Sequence, residues 1–234
     1  MTSQQLPLAL RWPRRQRFEH FHPGENAAAV EALRAAAASP AAPWVFVAGS
    51  MGSGRTHLLI ASCQAAIDAG RTAQYLPLAA LRGSRAVAIR GMAGSDLLAI
   101  DDIDSVAGES EAEHALFDTF NRYRAEGCTL LFSASGAPGS IGIALPDLRS
   151  RLGSLTQAVL KPLGDAERRD VLREQAGARG IELDDTVLDW LFAHHARDLG
   201  TLLDLLDTLD RASLAAKRRV TVPFLRELLR AAPP

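Results

Sequence analysis

The feature that most constrains the fold of this 234-residue chain is a glycine-rich octapeptide between an apolar run and a helical pattern. The run is Trp44–Ala48, the octapeptide is Gly49–Thr56 (GSMGSGRT), and the helical pattern begins at Thr56. Glycines let successive backbone N–H groups turn towards one anion, and the following helix adds the positive potential of its N-terminus. The spacing fits the phosphate-loop pattern, with Arg55 in place of its lysine. We therefore predict a strand, a phosphate-binding loop and a helix in that order.

Other apolar segments have the length and the β-branched content of buried strands. They are Ala73–Leu78, Asp96–Ile100, Thr129–Ser133 and Thr156–Leu160. Helical patterns separate most of them, notably Glu111–Ala125. Alternation of this kind predicts an α/β fold with a parallel five-stranded sheet flanked by helices.

The chain changes character after Pro162, where only helical patterns follow. They are Asp165–Ala178, Asp184–Ala193, Asp198–Ala216 and Val222–Leu229. At the other end, the short apolar cluster Gln5–Leu10 and the arginines that follow it cannot form a core of their own. We predict a flexible tail over residues 1–17, a nucleotide-binding α/β domain over 18–161 and a small all-helical domain over 162–234.

A second motif accompanies the phosphate loop. The apolar segment Leu97–Ile100 ends in Asp101 and Asp102, the arrangement of a Walker B strand. We expect Asp101 and the Thr56 hydroxyl to be Mg²⁺ ligands, and Asp102 to orient an attacking water. Paired aspartates after an apolar run can also be a strand end that meets a helix cap, but the phosphate loop favours the first interpretation.

Arg55 has a chemical consequence of its own. Arginine keeps the positive charge of lysine, but it is bulkier and forked, so it holds phosphates without the compact placement of lysine on the terminal phosphoryl group. We therefore predict nucleotide binding with weak or no intrinsic ATPase activity.

Composition excludes several other classes of protein. The net charge is −1, so there is no general attraction for DNA or for anionic membranes. Cys63 and Cys128 lie in apolar runs, as buried free thiols do, and no apolar stretch reaches the length of a membrane span. His57, His194 and His195 lack clustered ligands, so no zinc site is expected. These features predict a cytoplasmic protein.

Several segments resemble the DnaA family of AAA+ proteins, and within it the Hda-type regulatory inactivators of DnaA. They are Phe18–Asn26, Gly49–Leu59, Leu98–Asp104, Leu145–Leu152, Arg197–Leu202 and Leu209–Ser213. The resemblance implies an AAA+ P-loop domain followed by a small all-helical lid domain. It also implies an adenine nucleotide as ligand, with ADP favoured over ATP, together with Mg²⁺.

The resemblance also implies roles for individual residues. Arg151 matches an arginine finger, which acts on the nucleotide of a neighbouring subunit; without the resemblance, Arg149 and Arg151 would be interpreted as a solvated helix end. Arg197 matches the lid arginine that touches bound nucleotide. The implied nucleotide-binding residues are Gly49, Ser50, Gly52, Ser53, Gly54, Arg55, Thr56, His57 and Arg197.

The tail carries a second implied site. Gln5, Leu6, Leu8 and Leu10 look like the clamp-binding peptide of this family, in which a glutamine and spaced leucines enter a preformed groove. The implied partners are DnaA and the DNA polymerase III β sliding clamp, with DNA contacted only through the clamp, and a homo-oligomer is allowed. The function expected is stimulation of ATP hydrolysis by DnaA.

One departure and two alternatives accompany this hypothesis. Ser135 lies near the sensor 1 position, where the resemblance leads us to expect an Asp-Arg pair, so sensing of a γ-phosphate by this chain is in doubt. The first alternative is a DnaA-like loader or adaptor, although no basic helix-turn-helix segment follows the helical domain. The second is a small-molecule P-loop kinase, which offers no role for the N-terminal peptide.

Overall fold

The computed structural model describes residues 16–194, 199–216 and 219–231. Within these residues the chain divides into two compact units. One contains the residues up to Ser50 together with Gly54–Lys161, and the other contains Met51–Ser53 and the residues from Pro162 onwards. The division between the two units falls after Lys161.

The first unit is built on the predicted parallel sheet of five strands. The strands are β1 (Val45–Gly49), β2 (Ala73–Pro77), β3 (Leu97–Asp101), β4 (Thr129–Ala134) and β5 (Thr156–Leu160). Their order is β2-β3-β4-β1-β5, and every neighbouring pair is parallel. Because all the strands are parallel, the carboxyl ends of β1 and β3 lie at the same edge of the sheet, with β4 between them.

Helices cover both faces of this sheet. They are α1 (Ala27–Ala38), α2 (Arg55–Asp68), α3 (Arg85–Gly91), α4 (Ser110–Glu126) and α5 (Pro146–Gly153). Val45 and Val47 of β1 share one core with α1 and α2, whereas Phe46 shares the other with α4 and α5. Since both faces are buried, β1 is apolar throughout, which is typical of parallel strands.

Two strands lie one residue later than the sequence predicts. Trp44 precedes β1; its indole Nε1 donates to the carbonyl of Cys128 at 3.0 Å, and its ring packs edge-on against Phe120. The other shifted strand is β3, which includes Asp101; this residue is paired with Pro77 of β2. This places the Asp101 carboxylate at the carboxyl edge of the sheet.

The second unit is helical, as predicted. Its helices are α6 (Asp165–Gly177), α7 (Asp185–His194), α8 (Leu199–Ala216) and α9 (Val222–Ala231). Buried aliphatic side chains from all four, among them Leu172, Leu188, Leu206 and Leu225, form its core. Over the part of the chain that the structure describes, no helix combines the length and the apolar character that a membrane span needs.

Candidate functional site

The phosphate loop joins β1 to α2 and depends on two glycines with left-handed backbone. Gly52 has φ of 78° and Gly54 has φ of 95°, and a Cβ on Gly54 would lie 2.5 Å from Cε2 of Phe21. Gly54 is the N-cap of α2, and no side chain caps that helix. The first N–H groups of α2 therefore have no side-chain acceptor, which suits them to an anion.

Asp101 is a buried carboxylate that accepts hydrogen bonds from hydroxyl groups. It is 2% exposed. Its Oδ2 accepts from Thr56 Oγ1 at 2.7 Å and from the Tyr75 hydroxyl at 2.7 Å. Its Oδ1 accepts from Ser133 Oγ. The structure thus brings together Thr56 and Asp101, the two residues expected to be Mg²⁺ ligands.

Asp102 is held differently from its neighbour. Its φ is 55°, and its N–H donates to Ser133 Oγ at 3.0 Å. Its Oδ1 lies 3.0 Å from Nη2 of Arg55, so the phosphate-loop arginine and the second acid form an ion pair. Burial and the nearby charge of Asp101 raise the pKa of Asp102, and the guanidinium of Arg55 opposes this shift. The acid expected to orient water is therefore engaged by Arg55.

Two polar atoms of the phosphate loop are buried without a hydrogen-bond partner among the described residues. They are Ser53 Oγ and Nη1 of Arg55. Buried polar groups in folded proteins almost always have partners, so an unpaired donor in a glycine loop is a site for a ligand oxygen. The second nitrogen of the Arg55 fork is therefore available while the first is held by Asp102.

His57, on the first turn of α2, attaches the start of the described chain to the loop. Its Nε2 donates to the carbonyl of Arg17 at 2.9 Å, and its ring centroid is 5.4 Å from that of Phe21. Burial lowers the pKa of His57. Gln16, whose carbonyl accepts from Gln64 at 2.6 Å, also packs on α2. Gln16 and Arg17 are the last two residues of the predicted tail, so the contacts with α2 begin inside it.

Arg151 lies on α5 and contacts α4. Its guanidinium carbon is 4.6 Å from the ring centroid of Phe117 and 5.4 Å from that of Phe120. The side chain is partly exposed, and none of the described acidic residues forms an ion pair with it. Arg149 is exposed, and its Nη1 donates to the Ile143 carbonyl at 3.2 Å. Arg151 thus rests on an aromatic surface with its charge unpaired within those residues.

Some predicted site residues lie outside the described residues. They are Gln5, Leu6, Leu8, Leu10 and Arg197. Ser135 is described, and its Oγ donates to Oδ2 of Asp104 at 2.5 Å.

Four residues of these arrangements are not indicated by any linear motif: Phe21, Tyr75, Phe117 and Ser133. Ser133 is at the end of β4, beside β3, so the strand order would have placed it near Asp101. Tyr75 pairs with Ala99, two residues before Asp101. The proximity of Ser133 and Tyr75 to Asp101 therefore follows from the strand order and not from a linear motif.

Two family models together match most of the chain. The family model of the bacterial DnaA ATPase domain matches residues 13–158, and that of the Hda lid domain matches residues 165–229. An uncharacterized protein of Haemophilus influenzae is 37% identical over 230 residues, which are 97% of this chain and 99% of that protein.

Solved structures share the fold. Domain III of the Thermotoga maritima replication initiation protein DnaA has a TM-score of 0.76 at 22% identity, covering 94% of this chain and 97% of that chain. AMPPCP-bound DnaA from Aquifex aeolicus has a TM-score of 0.67 at 20% identity, covering 84% and 66%. The Thermotoga maritima RuvB Holliday junction branch migration motor has a TM-score of 0.63 at 19% identity, covering 94% and 72%. The chain therefore belongs to the bacterial DnaA ATPase family of AAA+ proteins and joins that domain to an Hda-type helical lid.

Proposed function

We propose that this protein regulates the initiation of DNA replication by stimulating the hydrolysis of ATP bound to DnaA. It holds an adenine nucleotide of its own, binds the DNA polymerase III β sliding clamp through its tail, and presents Arg151 to the nucleotide of DnaA. The observation that carries the proposal is the joining, in one chain, of a DnaA-type ATPase domain to an Hda lid domain. The reaction converts ATP and water to ADP and phosphate, and the substrate belongs to the partner.

The resident nucleotide is supported by the loop Gly49–Thr56. Its glycines, the uncapped start of α2 and the unpartnered atoms of Ser53 and Arg55 fit the oxygens of a polyphosphate. Arg197 would contact the nucleotide from the lid. Thr56 and Asp101 would hold Mg²⁺, which takes few protein ligands and completes its octahedron with water and phosphate oxygens. When bound, the ion offsets phosphate charge.

The ion pair between Arg55 and Asp102 supports a nucleotide that is held rather than turned over. An acid that orients water must be free to accept a hydrogen bond from it. Here Arg55 engages that acid at 3.0 Å. We therefore propose weak or no intrinsic hydrolysis, and ADP as the favoured ligand.

The proposed finger is supported by the position of Arg151 and by the lack of an ion pair between its guanidinium and any described acid. An arginine finger needs a guanidinium that is not neutralised by an acid of its own chain, and Arg151 contacts two aromatic rings instead. Aromatic faces attract a guanidinium weakly, by about 0.5–1 kcal/mol at exposed sites, so the side chain can leave them when a phosphate is presented. Where such fingers act in trans, their effect is about a thousandfold or more.

The clamp-binding proposal rests on the tail sequence. Gln5, Leu6, Leu8 and Leu10 precede Gln16, the first residue whose packing on α2 is described. A short peptide joined to a folded domain can bind a groove and keep the domain near its partner, which raises the effective concentration of Arg151 around DnaA loaded on the same DNA.

Hydrolysis of ATP preloaded on DnaA, with DNA-loaded clamp present, tests the proposal. The unaltered protein is compared with Arg151→Ala, with Arg149→Ala as the matched control from the same helix, and with a variant that lacks residues 5–10. We expect strong stimulation by the unaltered protein and by the Arg149 variant. We expect stimulation to be lost both with the Arg151 variant and with the variant that lacks residues 5–10.

The alternatives give different results in the same assay. A DnaA-like loader or adaptor would bind nucleotide and partners without accelerating hydrolysis, and a small-molecule kinase would transfer phosphate to an acceptor when alone. Absence of stimulation by the unaltered protein would therefore contradict the proposal and favour an adaptor.

A further inference from the structure

Glu113 is a buried carboxylate on α4 whose contacts the proposed function does not use. It is 1% exposed. Its Oε1 accepts from the backbone N–H groups of Gly108 at 2.8 Å and Ala144 at 3.0 Å, and its Oε2 accepts from that of Leu145 at 2.7 Å. Within the described part of the chain, no lysine, arginine or histidine forms an ion pair with it. The carboxylate thus joins α4 to the residues that precede α5.

The physical chemistry of a buried charge explains why these bonds matter. A carboxylate taken out of water without a cation is costly, and it is tolerated only where several donors replace the lost solvent. Leu145 is the N-cap of α5 and has no side-chain cap of its own. The negative charge also lies near the N-terminus of α5, where the helix dipole is positive. Glu113 and the start of α5 therefore stabilise each other.

The same face of α4 holds the other end of α5. Glu113, Phe117 and Phe120 are spaced i, i+4 and i+7, which places them on one side of the helix. The guanidinium of Arg151 rests on the two rings. Leu148 and Leu152 bury the remaining side of α5 in the core. The Glu113 carboxylate thus binds the beginning of α5, and the two rings pack against Arg151 in its last turn.

We propose that Glu113 is a positioning residue for Arg151. This inference rests on the proposed function, because Arg151 needs a defined position only if it acts on a nucleotide. By holding the N-terminus of α5 against α4, Glu113 sets where the guanidinium projects from the surface. A misplacement of about 1 Å is enough to lower a catalysed rate about a hundredfold. The carboxylate itself bonds to backbone N–H groups and not to Arg151.

The test compares Glu113→Gln with Glu111→Gln, an exposed glutamate on the same helix. Glutamine keeps the size of the side chain, but its NH₂ group cannot accept from a backbone N–H, so either the contact to Leu145 or the two contacts to Gly108 and Ala144 are lost. Each full-length variant is measured by thermal unfolding, by amide exchange over residues 144–153 and by stimulated ATP hydrolysis on DnaA. Hydrolysis is measured as a function of the concentration of the variant.

For the Glu113 variant we expect faster amide exchange over residues 144–153 and a maximal hydrolysis rate lowered by about tenfold or more. The half-saturating concentration and the affinity for the clamp stay as in the control variant. A role in folding alone would instead lower the fraction of active protein and the unfolding temperature together. If the glutamine variant does not fold, Glu113→Asp, which keeps the charge, is measured in the same way.

Two outcomes overturn the inference. One is amide exchange over residues 144–153 equal to that of the control, and the other is an unchanged maximal rate despite faster exchange. Lack of stimulation by the unaltered protein overturns the proposed function and, with it, the need to position Arg151. In that case the exchange measurement still decides whether Glu113 holds α5.

Discussion

Substitution of Gly54 by alanine tests the geometry of the phosphate loop in detail. Two costs are expected, because the backbone is left-handed at φ of 95° and the new Cβ would lie 2.5 Å from Cε2 of Phe21. Gly83 is the matched control: its φ is 78°, and no atom lies within 4 Å of the position that a Cβ would take there. Alanine at Gly83 therefore has the conformational cost without the steric one.

The magnitudes follow from these two terms. A non-glycine residue in left-handed backbone costs about 1–3 kcal/mol. Carbon atoms pack at about 3.5–4.0 Å, so Phe21 must move by about 1 Å, and overpacking of this kind costs about 1–3 kcal/mol. The entropy that alanine removes from the unfolded chain is common to both sites and cancels. The free energy of unfolding should fall by about 1–3 kcal/mol more for Gly54→Ala than for Gly83→Ala.

Urea denaturation of the two variants measures this difference, and the same pair in a Phe21→Ala background identifies its source. Removing the ring should bring the cost of Gly54→Ala close to that of Gly83→Ala. Equal costs in the original background would refute the close approach of Phe21 to Gly54. An excess that survives the loss of the ring would refute the steric explanation.

Two further predictions concern neighbouring side chains. Burial lowers the pKa of His57 below its usual 6.5, so below about pH 6.5 the unfolded chain binds more protons than the folded one. Lowering the pH through this range should therefore lower the free energy of unfolding, and the decrease should be smaller in His57→Gln. A pH dependence identical in the two proteins would contradict this. Arg55→Lys should raise the ATP hydrolysis of the isolated protein by about tenfold or more, because the compact lysine ammonium binds the terminal phosphoryl group and lacks the fork that engages Asp102. Measured phosphate release should return to the original level in Arg55→Lys with Asp102→Asn, and no rise in the single variant would show that the ion pair does not suppress turnover.

The fold could be predicted as far as local patterns extend. All five strands are recognisable because segments of strand length that are mostly apolar lie between helical patterns. Their order, β2-β3-β4-β1-β5, is not contained in any single segment. The short helix α3 is not predicted, because seven residues with one fully buried apolar side chain, Ile89, carry too little periodicity.

The candidate site, like the fold, could be predicted only where its residues are close together in the sequence. The phosphate loop Gly49–Thr56 is predictable because its residues are consecutive, and the same holds for the aspartate pair Asp101 and Asp102. The ion pair between Arg55 and Asp102 joins residues 47 positions apart, so it depends on the packing of two strands. The contact of Arg151 with Phe117 likewise needs α5 to lie on α4, which no linear pattern indicates.

In the proposed function the hydrolysed ATP belongs to DnaA, and this chain supplies the arginine. The most direct measurement is single-turnover release of labelled phosphate from DnaA preloaded with γ-labelled ATP, with saturating, ADP-loaded protein and DNA-loaded clamp. We predict a rate lower by about a thousandfold with Arg151→Ala than with the unaltered protein, and an unchanged rate with Arg149→Ala. Equal rates for the unaltered protein and Arg151→Ala would contradict the account.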